Sequence, residues 1–224
     1  REDADGSFNG SGSARANGFR RLTDSMVLLA QSDVGYRNLV ELVSRSYLHS
    51  DGGTASVQLA DVEARSDGLI ALTGGADGTV GRLLSEGQIQ RARGMLERLA
   101  AAFPSRLYVE LTRHGLEIER RIEDDLIDLA YNYDLPLVAS NDVHFADTDM
   151  HEAHDALLCI AQGTHVADTE RRRLTPDHRF RSAVEMRALF ADLPEAIDNT
   201  LVIARRCAYM PVAHAPILPQ FPTP

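Results

Sequence analysis

Short apolar runs alternate with segments of helical periodicity along the first two-thirds of the chain. Each run is short and is bounded by Gly, Pro, Ser or Asp, which is typical of strands buried in a sheet. The predicted strands are Met26–Ala30, Gly68–Thr73, Arg106–Leu111 and Leu135–Ala139. Strands that alternate with helices in this way indicate parallel pairing with helical crossovers.

The helices between these strands are predicted from apolar residues spaced three and four apart. In the first, which begins at Asp33, the apolar face consists of Tyr36, Leu39, Val40, Val43 and Tyr47. In the last, Glu117–Tyr133, the core-facing residues are expected to be Ile118, Ile122, Leu126 and Leu129. The others are Leu59–Ala64, Thr79–Leu84 and Gln88–Phe103.

The last third of the chain is predicted to be helical, and it is followed by a proline-rich tail. Its helices are Met150–Gln162, Ser182–Leu193 and Glu195–Arg206. We therefore expect a flexible loop or insertion over residues 1–25, one domain over 26–208 and an interdomain linker over 209–224. The chain begins with Arg and has no initial Met, so we expect it to be part of a longer protein.

The charge pattern argues against this segment as the main contact for nucleic acid. The net charge is −10, whereas phosphate binding requires clustered positive charge. Arg171–Arg173 is the one basic run, and we expect it to be a solvated loop. Cys159 lies in an apolar stretch and is expected to be a core thiol, which fits a reduced cytoplasmic setting. No stretch approaches the ~20 apolar residues of a membrane span.

Candidate chemistry follows the strand that ends at Ala139. Asp142 and His144 are two residues apart, so both can point the same way from extended backbone. Carboxylate and imidazole are ligands for zinc or manganese, although from the spacing alone a hydrogen-bonded Asp and His in a turn is the default interpretation. His114 follows another strand and is either a second candidate at the same rim or a loop histidine. Glu110, on that strand, could be buried against a partner.

Two further motifs are weaker indications of function. Met150–Asp155 contains two histidines three apart, whereas the zinc-protease motif requires a spacing of four, so we interpret it as an acidic helix N-terminus. Thr73–Gly78 follows a strand but lacks the ending of a phosphate-binding loop.

Taken in order, several segments resemble the polymerase-and-histidinol-phosphatase (PHP) domain of the bacterial DNA polymerase III alpha subunit, from about Met26 to Pro222. The segments that carry the resemblance are Leu28–Gln31 with Gly35–Leu39, Gly68–Gly75, Glu110–Gly115, Leu137–Phe145, His154–Ile160, Glu185–Met186 with Leu189–Phe190, Pro194–Thr200 and Leu218–Pro222. The resemblance implies an α/β fold, namely a distorted TIM-like β/α barrel truncated at its N-terminal side, with a helical C-terminal third.

The resemblance also implies a metal site at the strand ends. Asp142 and His144 match ligands of the family, while other ligands lie upstream of this chain. Two positions depart, because Ser25 stands for the family's His and Gly75 for its Cys. His114 falls in a family motif but is not carried over as a ligand. Zn²⁺ or Mn²⁺ could bind here, or the site could have been lost.

By resemblance, the parent protein is a DNA-directed DNA polymerase whose Mg²⁺ ions are held outside this segment. We expect this domain to be structural, with little nuclease activity, and to dock the proofreading exonuclease (epsilon) subunit. Other DNA polymerase III holoenzyme subunits and DNA would meet the parent chain, and no membrane is expected. The alternatives are a metal-dependent phosphoesterase or 3′–5′ exonuclease that uses Asp142 and His144, and an interaction module without metal.

Overall fold

A computed structural model describes residues 23–48, 55–171, 173–213 and 215–216 of the 224-residue chain. The predicted loop over 1–25 and linker over 209–224 therefore lie largely outside the described residues. No helix in the described part has the length and apolar character that crossing a membrane requires.

The predicted strands and helices are confirmed in type. The elements, in chain order, are β1 (Val27–Ala30), α1 (Asp33–Leu48), α2 (Leu59–Glu63), β2 (Leu69–Leu72), α3 (Thr79–Ser85), α4 (Ile89–Ala102), β3 (Leu107–Leu111), α5 (Glu117–Asn132), β4 (Leu137–Ala139), α6 (His151–Gln162), α7 (Ala183–Leu189) and α8 (Pro194–Arg206). Short 3₁₀ turns occur at Gly75–Asp77, Thr148–Met150 and Pro176–His178. Helix α7 is shorter than predicted and ends four residues before Leu193.

In the described residues the four strands form one open sheet in the order β1-β2-β3-β4. β2, β3 and β4 are parallel, as predicted, but β1 is antiparallel to β2. The cause lies at the end of β1, where the Gln31 N–H donates to the Gly68 carbonyl at 2.9 Å. Because β2 starts beside the point where β1 stops, it has to run back along β1.

Helices pack on both faces of this sheet. The larger cluster contains the strand residues Leu69, Ala71, Leu107, Val109, Leu111, Leu137 and Ala139, packed with α3, α4 and α5. The smaller cluster contains Ile70, Leu72, Tyr108 and Val138 with Ile203 of α8. Alternate strand residues therefore point to opposite apolar layers, and apolar side chains cover both faces of the sheet.

The core face predicted for α5 is confirmed at three of its four positions, with Ile118 only partly buried, whereas the face predicted for α1 is wrong. Ile122, Leu126 and Leu129 are buried on α5. On α1 the buried residues are Gly35 and Leu42. The predicted positions Tyr36, Val40, Val43 and Tyr47 are exposed instead, and Leu39 alone of that face packs against the core.

The orientation of α1 is set by a backbone contact. An added Cβ on Gly35 would lie 1.8 Å from the carbonyl oxygen of Gly68, a separation that no Cβ can tolerate. The side of α1 that carries Gly35 therefore lies directly on the chain entering β2. This close approach turns the Tyr- and Val-rich side of the helix away from the core.

We expect Gly35→Ala to lower the free energy of unfolding by roughly 1–3 kcal/mol, because the helix must move away from Gly68 to admit a methyl group. Gly94→Ala in α4 is the matched control, since nothing lies within 4 Å of its added Cβ. It should stabilise the protein by roughly 0.5–1 kcal/mol through helix propensity. Denaturant melts measure both, and equal effects would contradict the close packing at Gly35.

Helix α6 is attached differently from the other long helices. Its buried residues are Asp155 and Cys159, which confirms the prediction for Cys159. Arg171 is 3% exposed and donates to both carboxylate oxygens of Asp155, at 2.5 and 2.6 Å. The prediction of a solvated loop is therefore wrong at Arg171, because its guanidinium forms a bidentate ion pair with the carboxylate of Asp155, sixteen residues earlier in the chain.

Candidate functional site

The loops that follow the parallel strands meet at one edge of the sheet, which we call the rim. Parallel strands end on the same side, so the segments after β2, β3 and β4 are neighbours. The antiparallel β1 begins at this edge, where the Ser25 N–H donates to the Asp77 carbonyl at 2.9 Å. The predicted positions at the strand ends are therefore brought together: Ser25, Gly75, His114, Asp142 and His144.

Glu110 ties the ends of three strands together at the rim. Its carboxylate accepts hydrogen bonds from the Gly74 N–H, at 3.0 Å, and from the Ser140 hydroxyl. Burial raises the pKa of Glu110, and these two hydrogen bonds act against that rise. Gly74 follows β2 and Ser140 follows β4, so the Glu110 side chain on β3 links the ends of these two strands. The sequence indicated that Glu110 could be buried against a partner, and the structure identifies the partners as the Gly74 N–H and the Ser140 hydroxyl.

His114 is buried, and both of its ring nitrogens are engaged. Nδ1 lies 2.8 Å from a carboxylate oxygen of Glu119, and Nε2 lies 3.0 Å from Asn141 Oδ1. Glu119 also accepts the N–H groups of His114, at 2.7 Å, and Leu116, at 3.1 Å. Burial acts to raise the pKa of Glu119, but the hydrogen bonds from His114 outweigh it and the pKa is lowered. Of the two interpretations of His114, this geometry favours a structural loop histidine.

A segment from α6 to α7, residues 174–181, lies across the rim, and we call it the strap. The Thr175 hydroxyl donates to the His114 carbonyl at 2.6 Å. The ring of His178 stacks on the ring of His114, with centroids 4.1 Å apart and planes at 15°. The His144 N–H donates to the His178 carbonyl at 2.9 Å. The strap packs on His114, which is 2% exposed, and the sequence did not reveal this segment.

The strap is held at a second point by Asn141. Its side-chain NH₂ donates to the Arg179 carbonyl at 2.8 Å, while its Oδ1 faces His114 and Arg181 Nη1 at 3.0 and 3.2 Å. The amide orientation is thus fixed on both sides. The Asn141 carboxamide therefore connects the loop after β4 to His114 and to the strap.

His178 is held neutral inside this arrangement. It is 4% exposed. Burial, and after it the nearby His114, lower the pKa of His178 to about 4. An imidazolium at this position would be shielded from water and would lie directly against a second histidine ring.

We expect the His178 imidazole to remain neutral from pH 8 to below pH 5. Its folded-state pKa is below the ordinary value, so the unfolded chain binds the proton first as the pH falls. The stability contributed by neutral His178 is therefore complete above about pH 6.5 and is lost as the pH falls toward about 4. NMR titration of the imidazole carbons measures the pKa, and the variant His178→Phe gives the control with no titrating group. A midpoint at 6.5 in the folded protein would contradict the burial.

Asp142 and His144 form a pair with each other. His144 Nε2 lies 3.0 Å from an Asp142 carboxylate oxygen, and their side chains are 28% and 61% exposed. The ring of His144 is also tilted against His154 and His178, at centroid distances of 5.5 and 5.8 Å. The structure therefore shows the hydrogen-bonded turn pair, which was one of the two interpretations open from sequence.

Ser25 and Gly75 occupy the remaining positions of the rim. Ser25 is exposed. Gly75 is buried with φ +53, and an added Cβ would lie 3.3 Å from the Thr112 hydroxyl oxygen. A positive φ favours glycine, so a side-chain ligand at this position would be strained. A small cavity of about 10 Å³, room for one water, lies beside it and is lined by Gly75, Glu110 and Glu119 among others.

The donors at the rim do not fit a multinuclear metal centre. Within residues 23–48, 55–171, 173–213 and 215–216, no three His, Cys, Asp or Glu side chains are grouped in a way that could hold an ion. A structural zinc site takes four protein ligands and a catalytic one takes three. The pair Asp142–His144 supplies two.

Comparison with known proteins agrees with the resemblance in the sequence. The PHP domain family model matches residues 14–114. A DNA polymerase III subunit alpha of Caulobacter vibrioides is 52% identical over 200 residues, which cover 89% of this chain and 18% of that protein. Proteins of the same name from Rickettsia bellii and Pseudomonas aeruginosa are 36% and 37% identical over 199 residues, or 88% of this chain and 17% of each relative.

The chain thus spans less than one fifth of the length of the relatives that it matches. The matched stretch nevertheless includes most of the chain, and the identity to the Caulobacter protein exceeds one half. The chain therefore belongs to the PHP domain family, in the form found in DNA polymerase III alpha subunits.

Proposed function

We propose that this PHP domain works as a structural part of a replicative DNA polymerase in the cytoplasm. The parent protein would carry out template-directed DNA synthesis with Mg²⁺ ions held outside this segment. The proposal is supported by 52% identity across 89% of the chain to a protein named DNA polymerase III subunit alpha. A net charge of −10 is consistent with DNA being held mainly elsewhere in the parent.

The observation that carries the structural role is the closed hydrogen-bond network of the rim. Both ring nitrogens of His114 are engaged, and Asp142 pairs with His144. The strap packs on His114 and its own His178 is buried, whereas Asp142 and His144 stay exposed beside it. A site built for catalysis keeps a reactive group or a coordination position open to substrate. A network of satisfied partners serves instead to fix the positions of loops.

Primer extension tests the parent activity. The full-length alpha subunit should extend a primed template in the presence of Mg²⁺, and this 224-residue segment should not. The full-length variant Asp142→Asn, which changes the rim, is the control, and it should extend the primer at the wild-type rate. A full-length protein that folds but incorporates no nucleotide would overturn the assignment to a polymerase.

We further propose that the domain docks the proofreading exonuclease subunit. The support is the family resemblance together with a rim whose donors do not fit a metal centre, because a domain without its own nuclease would leave proofreading to a partner. Chemical cross-linking of the purified alpha–exonuclease complex, mapped by mass spectrometry, should give links into residues 23–216. Links confined to other parts of the alpha subunit would contradict docking here.

A second candidate is a metal-dependent phosphoesterase that uses Asp142 and His144. One observation favours it, since the Asp142 side chain is 61% exposed and lies next to an imidazole. An ion held by this pair would need further ligands from outside the described residues. Metal analysis of the full-length protein separates this candidate from the structural role.

We also propose that the sheet is part of a distorted TIM-like barrel. The support is its sequential strand order, with helices between parallel strands, and the incomplete cover of β1, where Val27 is 39% exposed. An open sheet edge exposes unpaired backbone groups that another strand can satisfy. An experimental structure of the full-length protein with an additional strand paired to β1 would establish the closure, and a β1 edge facing solvent there would exclude it.

A further inference from the structure

Helix α1 has an apolar surface on the side away from the core. We call it the outer face, and it consists of Tyr36, Val40, Val43 and Tyr47, with exposures of 40, 48, 51 and 71%. The four positions are offset by 4, 7 and 11 residues, so at 3.6 residues per turn they fall within an arc of about 60°. They therefore form one continuous stripe along the helix.

The stripe is bordered by ion pairs. At the flanks, Arg37 pairs with Asp33 at 2.6 Å, and the Glu41 carboxylate accepts from an arginine at 2.7 Å. A surface helix normally has one apolar side, whereas α1 has a buried side at Leu42 and this exposed one. A contiguous apolar stripe with a polar border is typical of a docking surface.

The chain that leaves α8 arrives at this same surface. Arg206 fastens it by donating to the Tyr108 hydroxyl and the Ser105 carbonyl, each at 2.9 Å. The ring of Tyr209 then lies 5.9 Å from the ring of Tyr36, and its hydroxyl donates to Asp33 at 3.0 Å. The backbone after Tyr209 thus continues from the N-terminal end of the outer face.

The next residues extend the apolar surface and leave it uncovered. Met210 and Val212 are 78% and 70% exposed. Pro211 and Pro216 favour an extended path in this stretch. The length of the outer face from Tyr36 to Tyr47 is about 16 Å, which about five residues of extended chain can cover.

We propose that the outer face of α1 is an intramolecular docking surface for a part of the alpha subunit that follows this domain in the same polypeptide. The inference rests on the proposed function, because it takes this domain to be one part of a longer chain. More than four fifths of the length of the Caulobacter relative lies outside the matched stretch. A segment tethered through Tyr209 would have a high effective concentration at the stripe. Its contacting side chains should be aliphatic or aromatic, to match two tyrosines and two valines.

Hydroxyl-radical footprinting of the full-length alpha subunit tests whether the face is covered. Tyr47 and Tyr131 are matched probes, since their exposures in this domain are 71% and 57%. We expect Tyr47 to be oxidised at least fivefold more slowly than Tyr131, at a protein concentration where the subunit is monomeric. Equal rates would overturn the proposal. Protection that appears only with increasing concentration would indicate a second copy, and would overturn it as well.

A photo-cross-linker identifies the occupant. A benzoylphenylalanine placed at Val43 of the full-length protein should link to residues beyond 224 at the mass of a monomer. The same group at Val184, which is 77% exposed on α7, is the control position. Links to residues 1–22 or 49–54, to a second copy, or at the control's background level would overturn the proposal.

The two hypotheses can fail separately. Primer extension by the same preparation reports on the proposed polymerase, whereas the oxidation of Tyr47 reports on α1. The variant Val43→Arg should raise the oxidation rate of Tyr47 in the full-length protein at least fivefold, and Val184→Arg should leave it unchanged. An active polymerase in which Val43→Arg does not change the Tyr47 rate would eliminate the docking surface and leave the function intact.

Discussion

Leu126→Ala is expected to lower the free energy of unfolding by about 2–5 kcal/mol, the usual range when a fully buried leucine is truncated. Leu126 is 3% exposed and belongs to the larger core cluster. It lies on α5, which packs against β3 and α3. Truncation removes apolar contacts and leaves a cavity that rigid strands on one side cannot close. A urea melt that is followed by circular dichroism measures the change.

Asp125→Ala is the matched control for this prediction, because it lies next to Leu126 on α5 but is exposed. Its effect should stay within about 0.5 kcal/mol, as for surface substitutions in general. Similar stabilities for the two variants would show that the packing of α5 against the sheet has been misassigned.

The second large effect concerns nuclease activity. We expect the full-length protein, with all residues upstream of this segment present, to show negligible metal-dependent release of 3′ nucleotides when its exonuclease partner is absent. Ser25 and Gly75 stand where the family has a histidine and a cysteine, and neither provides a good zinc ligand. A clamp on both the attacking and the leaving oxygen needs two ions, and the loss of two ligands should cripple a site that has to hold them both.

The same prediction can be probed by restoring the two ligands. Ser25→His with Gly75→Cys should raise the metal content of the full-length protein, measured by inductively coupled plasma mass spectrometry. The gain will be limited by the positive φ at position 75, which disfavours any side chain. Manganese- or zinc-dependent nuclease activity in the unaltered protein, abolished by Asp142→Asn, would favour the phosphoesterase instead.

The order and type of the elements were predictable because they depend on local periodicity. The strand residues alternate between two apolar layers, and α5 carries a single apolar stripe, so both patterns are unambiguous in the sequence. The direction of β1 was not predictable. It depends on the contact of Gln31 with Gly68, which lies across two helices in the chain.

The wrong predictions for the face of α1 and for Arg171 share a physical cause, namely a contact between distant residues that overrides a local pattern. On α1 the largest apolar stripe was taken as the core face, but the approach of Gly35 to Gly68 places the opposite side inside. At Arg171 a run of arginines was taken as solvated, although Asp155 on α6 binds one of them. Neither partner can be found from spacing alone.

The rim was predicted in position and not in detail. That Asp142 and His144 follow a strand was enough to place them beside the ends of β2 and β3, since parallel strands share an edge. The roles of Glu119 and His178 were missed. Glu119 carried a usable signal, because an acidic residue in the first turn of a helix commonly accepts backbone N–H groups. For His178 there was none, since its partner His114 is 64 residues away.

The attachment of α6 has a consequence for how the protein fluctuates. None of its residues belongs to either core cluster. Among the described residues it is held by the Asp155–Arg171 pair, by a contact of the His151 imidazole with the Leu174 carbonyl at 2.9 Å, and by ring contacts of His151 and His154 with Phe145. Segments with few apolar contacts open at a lower free energy than the whole domain. The amides of α6 and the strap should therefore exchange with solvent deuterium well before those of β3, and His114 should become transiently accessible while the sheet stays intact.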